Sequence, residues 1–461
     1  MSKGSVITYM KLKKLIVKKL HDAYDYSVDF NNDITFLYGM NGCGKTTVLN
    51  ITEAIITGRL FKLFEYKFEM VSLQYYETKQ DSVFYNIVIT MKDRKNIFVK
   101  YDGVEERIEF IRLDLDQRRS SNVDEIAKQY FDKYPILKDI RKSFNYVYLP
   151  LNRTIGFRNP ISYFDSEYSY YYYPRQYRYE LFREYEEEFS YSDKDHSVSQ
   201  PELLIYNNYN RANIEIRKIE SDFRTQVLQS LLDVDIITST EELAKSLLDN
   251  QFSNITPSKI TEVKNKYISI LRELTSTNVD IHNCEIFFEL LKNDIKSKEK
   301  MDEASWLRVK EFSRIKKTVV LADKTRKAKE KIMSKFQLFI DTMNSFISQT
   351  DEQKEFVISS EGKIGFKTKL SKEIISPQNL SSGEKQLLIF FANLIFSVDS
   401  NRAGIFVVDE PELSLHLTWQ RIFVEKTMLI NPNMQLIFAT HSPEFVGKYR
   451  DRMFKLEKKF S

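Results

Sequence analysis

The chain has 461 residues, a formal net charge of +4, and 42% hydrophobic with 29% charged residues, which sets a soluble globular class and two or three structural units. Over this length the charge is too small to argue for nucleic acid by itself. Two cysteines, Cys43 and Cys284, exclude a disulfide framework and a CxxC zinc pair, and no apolar run nears the roughly 18 residues of a membrane span.

A reducing, cytoplasmic home is the expectation. The basic start KLKKLIVKKL lacks the apolar core of a signal peptide. Residues 9–38 predict strands with turns, ending in Ile34-Thr35-Phe36-Leu37-Tyr38. A helix is expected from Gly44 to about Thr57, closed near Gly58. Short alternating runs across 65–113 predict an antiparallel meander, and Tyr146-Val147-Tyr148-Leu149 reads as a short strand before Pro150. Residues 163–185 hold nine tyrosines with no clear period, four acids and three arginines, and a protein contact or a loop packed on the head is expected of them rather than base stacking. From about 200 to 349 the pattern is helical. Strand signals return at EFVIS and KIGFKTKL, and strand–helix–strand units finish the chain. The expectation is an α/β head formed by 1–150 and 351–461, a mixed sheet plus a β meander, split by a largely helical insertion at 151–350.

GMNGCGKT, residues 39–46, matches G-x-x-x-x-G-K-[ST] between an apolar strand and a helix. Its glycines let amides turn toward phosphate oxygens, where the helix N-terminus adds favourable potential. The expected nucleotide-binding residues are Asn41, Gly42, Cys43, Gly44, Lys45, Thr46 and Thr47. Lys45 would reach the β and γ phosphates, Thr46 would ligate Mg²⁺, and Cys43 is read as incidental. IFVVDE, residues 405–410, is a buried strand with carboxylates at its tip. There Asp409 is expected to hold Mg²⁺ and Glu410 to take a proton from the attacking water. QLIFATHS ends a second such strand in His441, a candidate γ-phosphate sensor or, alternatively, a structural histidine. NLSSGEKQ, residues 379–386, taken alone, is a helix cap.

The order GMNGCGKT, LSSGEKQ, IFVVDEPELSLH, ATHS resembles the ABC-type ATPase heads of the RecF, SMC and OLD families, over residues 9–58 and roughly 350–448. That resemblance implies ATP and Mg²⁺ as ligands, and a head-to-head dimer in which Ser381 and the Gly383 amide touch the nucleotide of a second copy. Gln386 would follow in the signature helix, with Ser414 and His416 in the loop between the two sites. Leu417 departs from the proline of the ELSLHP pattern, and Gln74 is the candidate Q-loop glutamine. Tyr148-Leu149-Pro150 with Arg153 resembles a segment of standalone defence ATPases.

The insertion lacks sustained heptads and a zinc hook. It carries 15 basic and 7 acidic residues between Lys292 and Lys335, open to two readings, a DNA- or partner-facing strip or a solvated face. Twenty residues follow His441, so a nuclease activity is expected on a second polypeptide. The family resemblance thus extends to the standalone ATPase subunit of a phage-defence system, PARIS AriA-like and next Septu PtuA-like. It would be a slow oligomeric switch that holds a TOPRIM-type nuclease or other toxic effector and responds to a phage trigger protein. The alternative is a RecF-like repair ATPase that contacts DNA directly; no membrane partner is expected.

Overall fold

The computed structural model describes residues 10–77, 83–111, 123–149, 196–232, 255–274, 281–296, 302–349, 354–368, 374–397 and 404–460. The tyrosine stretch and Arg153 lie outside them. Two compact units emerge, Met1–Asn208 with Gln337–Ser461, and Tyr209–Phe336.

The first unit opens with β1 (Met10–Leu20), β2 (Tyr24–Asp29), β3 (Ile34–Tyr38) and α1 (Lys45–Ile56). The meander follows as β4 (Met70–Glu77), β5 (Phe84–Asp93), β6 (Asn96–Tyr101) and β7 (Val104–Glu109). Next come α2 (Val123–Lys133), α3 (Pro135–Ser143) and β8 (Tyr146–Leu149). Two long helices, α4 (His196–Leu232) and α7 (Glu303–Ile347), bracket α5 (Pro257–Leu274) and α6 (His282–Lys296). The chain then adds β9 (Lys354–Ile358), β10 (Ile364–Thr368), β11 (Ile374–Ile375) and α8 (Ser382–Ala392). It ends with β12 (Ile405–Asp409), α9 (Leu417–Ile430), β13 (Gln435–Ala439), α10 (Pro443–Val446), β14 (Met453–Lys455) and β15 (Lys459–Phe460).

The uninterrupted apolar runs ITFLY, IFVVD and QLIFA suit strands covered on both faces, and they form the middle of a parallel sheet ordered β14-β3-β13-β12-β8. The alternating segments pair antiparallel in a second sheet, β15-β2-β1-β4-β5-β6-β7. A smaller antiparallel sheet holds β11-β10-β9. The α/β head expected from the sequence is therefore present, with strands from both ends of the chain interleaved.

Helix α1 is buried along most of its length, and its apolar residues share one core with Leu12, Leu15 and Val17 of β1 and with Val407 and Ile437 of the parallel sheet. Gln435, fully buried, fastens the two sheets. Its Nε2 donates to the Leu12 and Asn31 carbonyls (2.8 and 2.7 Å), and its Oε1 accepts from the Leu12 amide at 2.7 Å. A buried amide satisfied on both ends is a strong register mark, because a shifted strand would leave it unpaired.

Every described element of the second unit is helical, around a core of Ile260, Phe288, Leu291, Val309, Phe312 and Val319. The mixed charges counted between Lys292 and Lys335 sort by face. Asp294 accepts from Arg308 at 2.6 Å, Glu311 pairs with Arg314, and Asp323 and Glu330 pair with Arg326. Lys316, Lys317, Lys324, Lys327 and Lys331 are exposed, and among the described residues none of them is in an ion pair. At 3.6 residues per turn they fall within an arc of about 100° along about 22 Å of α7. No helix among the described residues is long and apolar enough to cross a membrane.

Candidate nucleotide site

The phosphate loop leaves the C-terminal edge of β3 and enters α1 at Gly44, whose φ is +104°. A Cβ there would sit 2.6 Å from the Tyr26 hydroxyl, which donates to the Cys43 carbonyl at 3.1 Å. Gly44 is thus demanded twice, by backbone conformation and by the close approach of β2. Amides at the start of α1 have no acceptor within the helix, so the loop presents donors where a phosphate would lie. Asn41 and Gly42 are exposed at its tip and Thr47 is half-buried.

Lys45 is buried, and its Nζ donates to the Gly39 carbonyl at 3.1 Å. The same ammonium lies 2.5 Å from His441 Nε2, which brings together the loop after β3 and the loop after β13. An ammonium only donates, so the contact makes Nε2 the acceptor and puts the ring proton on Nδ1. The Glu410 carboxylate stands 3.7 Å from the same ring nitrogen. Glu410 itself has φ +46° and donates its amide to the Ala439 carbonyl at 2.8 Å. A non-glycine residue held in the left-handed region is backbone strain of the kind that gathers at functional sites.

Asp409 is 1% exposed and accepts from the Thr46 hydroxyl at 2.8 Å, while its Oδ1 is buried without a hydrogen-bond partner. Burial raises the Asp409 carboxyl above the usual carboxylate range. The Thr46 hydrogen bond and Lys45 oppose this, and the charges of Glu410 and Glu412 add to it. An orphaned carboxylate oxygen beside a threonine hydroxyl fits Mg²⁺. That ion is commonly held by one or two carboxylates together with substrate phosphates rather than by a full protein cage. No group of three or more His, Cys, Asp or Glu that could hold a metal occurs among the described residues.

The family model described as AAA ATPase domain matches residues 10–446. The chain belongs to the AAA ATPase domain family. A curated relative of this AAA ATPase is the retron Vc95 probable ATPase of Vibrio cholerae serotype O1 biovar El Tor. The two are 32% identical over 112 residues, 22% of this chain and 21% of that protein, so the chain spans about a fifth of the relative it matches. Among solved structures, the Pyrococcus furiosus Smc head domain bound to the C-terminal domain of ScpA aligns at 13% identity. The alignment covers 98% of this chain and 96% of that one, with a TM-score of 0.42. The SMC head domain of Thermotoga maritima aligns at 11% identity over 98% of each chain, with a TM-score of 0.36. The fold of the AAA ATPase head rests on the strand order and loop geometry above, not on these low scores.

The hydrogen bonds of Lys45 run to Gly39 and His441, and the remaining candidates of the AAA ATPase head have other partners. Ser381 caps α8 in a capping box: its hydroxyl accepts from the Glu384 amide at 3.3 Å, and its own amide donates to Glu384 Oε2 at 2.9 Å. Glu384 is nearly fully buried and also pairs with Lys354 at 3.3 Å. Gly383 packs so closely that a Cβ would lie 2.6 Å from the Ser414 carbonyl and 3.1 Å from the Trp419 ring. Gln386 donates to the Pro411 carbonyl. Ser414 has φ +64°, and His416 caps α9 by accepting from the Thr418 amide. Leu417, at the departure from the ELSLHP pattern, is exposed as the first residue of α9. Gln74 lies in the middle of β4, opposite Lys14 of β1 and Asn86 of β5.

Three participants of the AAA ATPase site escaped sequence reasoning. Tyr26 supports the phosphate loop from β2. Tyr148 donates to Asn50 Oδ1 at 2.7 Å, with its hydroxyl held protonated by burial and next by the Asp409 charge. Glu412 gathers the segment around His441. Only Glu412 had a local signal, as the third acid of Asp409-Glu410-Pro411-Glu412.

Proposed function

We propose that this protein binds and hydrolyses ATP as an ABC-type conformational switch. The observation that carries the reading is the Thr46–Asp409 hydrogen bond at the mouth of the phosphate loop, with the second Asp409 oxygen orphaned beside it. Lys45 would leave Gly39 and His441 for the β and γ phosphates, and the loop amides would hold the remaining oxygens. Thr46 and Asp409 would hold Mg²⁺, which when bound neutralises charge developing on the phosphates. Glu410, 3.7 Å from His441, would accept a proton from water attacking the γ-phosphate.

The resemblance to ABC-type heads is what supports assigning Ser381 and the Gly383 amide to the nucleotide of a second copy; within their own chain they contact the α8 cap and the 414–419 segment. Closure of two heads around ATP is then the switch. The relation to a retron ATPase supports placing that switch in antiviral defence, where it would hold or release a separate nuclease effector on meeting a phage protein. In that setting turnover is slow and regulatory, and the protein acts in the cytoplasm.

The test is phosphate release with ATP and Mg²⁺, together with light scattering of Glu410→Gln. The variant should bind ATP, hydrolyse it very slowly and accumulate as a dimer. Normal turnover in Glu410→Gln removes Glu410 from the base role. A second reading, a RecF-like ATPase contacting duplex DNA, is favoured by the lysine face of α7.

A further inference from the structure

Strands β12 and β13 stay hydrogen-bonded up to the Glu410 amide and the Ala439 carbonyl, and then the chains part. From there a side chain takes over. Glu412 Oε1 accepts from the Thr440 hydroxyl at 2.7 Å, the His441 amide at 2.7 Å and the Ser442 amide at 3.2 Å. The Ser442 hydroxyl in turn donates to Gln420 Oε1 at 2.7 Å, and Gln420 Nε2 donates to the Leu415 carbonyl at 2.9 Å. Glu412 also lies in the 411–414 turn, whose Ser414 carbonyl is the surface against which Gly383 rests.

One acceptor oxygen would be enough for a plain loop tie. Yet Glu412 Oε2 is buried with no partner, and its charge stands with those of Asp409 and Glu410. Leaving a buried polar oxygen unpaired opposes folding and offsets part of what the three hydrogen bonds to Oε1 contribute.

We infer that Glu412 is a positioning residue of the hydrolytic site. It grips the backbone of His441 so that Nε2 stands between Lys45 and Glu410. It also links that histidine to the turn beneath Gly383, so a movement of the signature segment reaches the γ-phosphate side of the site through one carboxylate. This inference rests on the ATPase reading above.

The experiment compares steady-state ATP turnover by full-length wild type, Glu412→Ala, Glu412→Gln, His441→Ala and the Glu412→Ala/His441→Ala double variant. Glu412→Ala should lower kcat by about tenfold or more with KM changed by less than about threefold, a loss confined to the chemical step. Glu412→Gln, whose amide oxygen can accept from the same donors, should recover most of the rate. Because Glu412 acts through His441, the double variant should be within about twofold of the poorer single variant. Should Glu412→Ala fail to fold, Thr440→Val, which removes one donor to the same oxygen, takes its place in the cycle. Losses that multiply in the double variant, or a Glu412→Ala rate near wild type, overturn the inference and leave the ATPase reading standing. Absence of turnover in the wild type overturns both.

Discussion

Lys45 Nζ lies 2.5 Å from His441 Nε2, across 396 residues of chain. The only buried lysine of the phosphate loop is thus already engaged by the segment expected to sense the γ-phosphate. On the proposed reading, nucleotide would exchange that contact and the Gly39 carbonyl for phosphate oxygens, and binding at the loop would be tied to movement of the histidine.

The two residues should therefore fail differently. Lys45→Ala should abolish ATP binding, measured with a fluorescent nucleotide analogue. His441→Ala should retain affinity within about threefold while kcat falls by about tenfold or more, the pattern of a group acting on the transition state. Wild-type affinity in Lys45→Ala would remove the phosphate-loop assignment.

Metal dependence is expected to run through Asp409. ATP with Mg²⁺ should raise the wild-type melting temperature more than ATP with a chelator does, because a ligand that binds only the native state stabilises it. In Asp409→Asn the two curves should coincide, since the orphaned oxygen is no longer anionic. A persisting Mg²⁺ increment would place the cation elsewhere.

Ser381 has a structural duty that its functional role must be separated from. Loss of its cap by Ser381→Ala should cost about 1 kcal/mol of stability whether or not it touches a nucleotide. Ser381→Arg in the Glu410→Gln background should bind ATP yet stay monomeric by light scattering. ATP-driven dimers of that double variant would return Ser381 to a cap alone.

The lysine face of α7 gives the DNA reading its own test. Duplex DNA binding, if it occurs there, should weaken steeply with salt, and Lys317→Glu/Lys324→Glu/Lys331→Glu should reduce the salt slope by about three. Binding unaffected by the triple variant, or absent from the wild type at low salt, excludes this surface.

Much of the head could be read from local pattern. The strand, phosphate loop and α1 form one contiguous stretch, and their chemistry requires particular residues at fixed offsets, so Gly39 to Thr46 announces itself. Asp409 and Glu410 are likewise marked by an apolar run that ends in acids. The helices α2 and α3 and the closing strands β14 and β15 were not anticipated. These segments are short, and the partners that stabilise them, α1, β3 and β2, lie far away in sequence.

What the sequence by itself determined are the contiguous devices: the glycine loop, the carboxylate strand tip, the Ser381–Glu384 cap and the periodicity of strands and helices. Each depends on residues within one turn or one strand. Only the tertiary structure decided that Lys45 meets His441, that Gln435 fastens β13 to β1, and that Glu412 holds the 440–442 backbone. It also showed that Asp294, Glu311, Asp323 and Glu330 of the insertion are engaged with arginines while five lysines share a face. These are matters of which distant segments return to the same place. That is set by burial of the shared core around α1, and no window of sequence contains it.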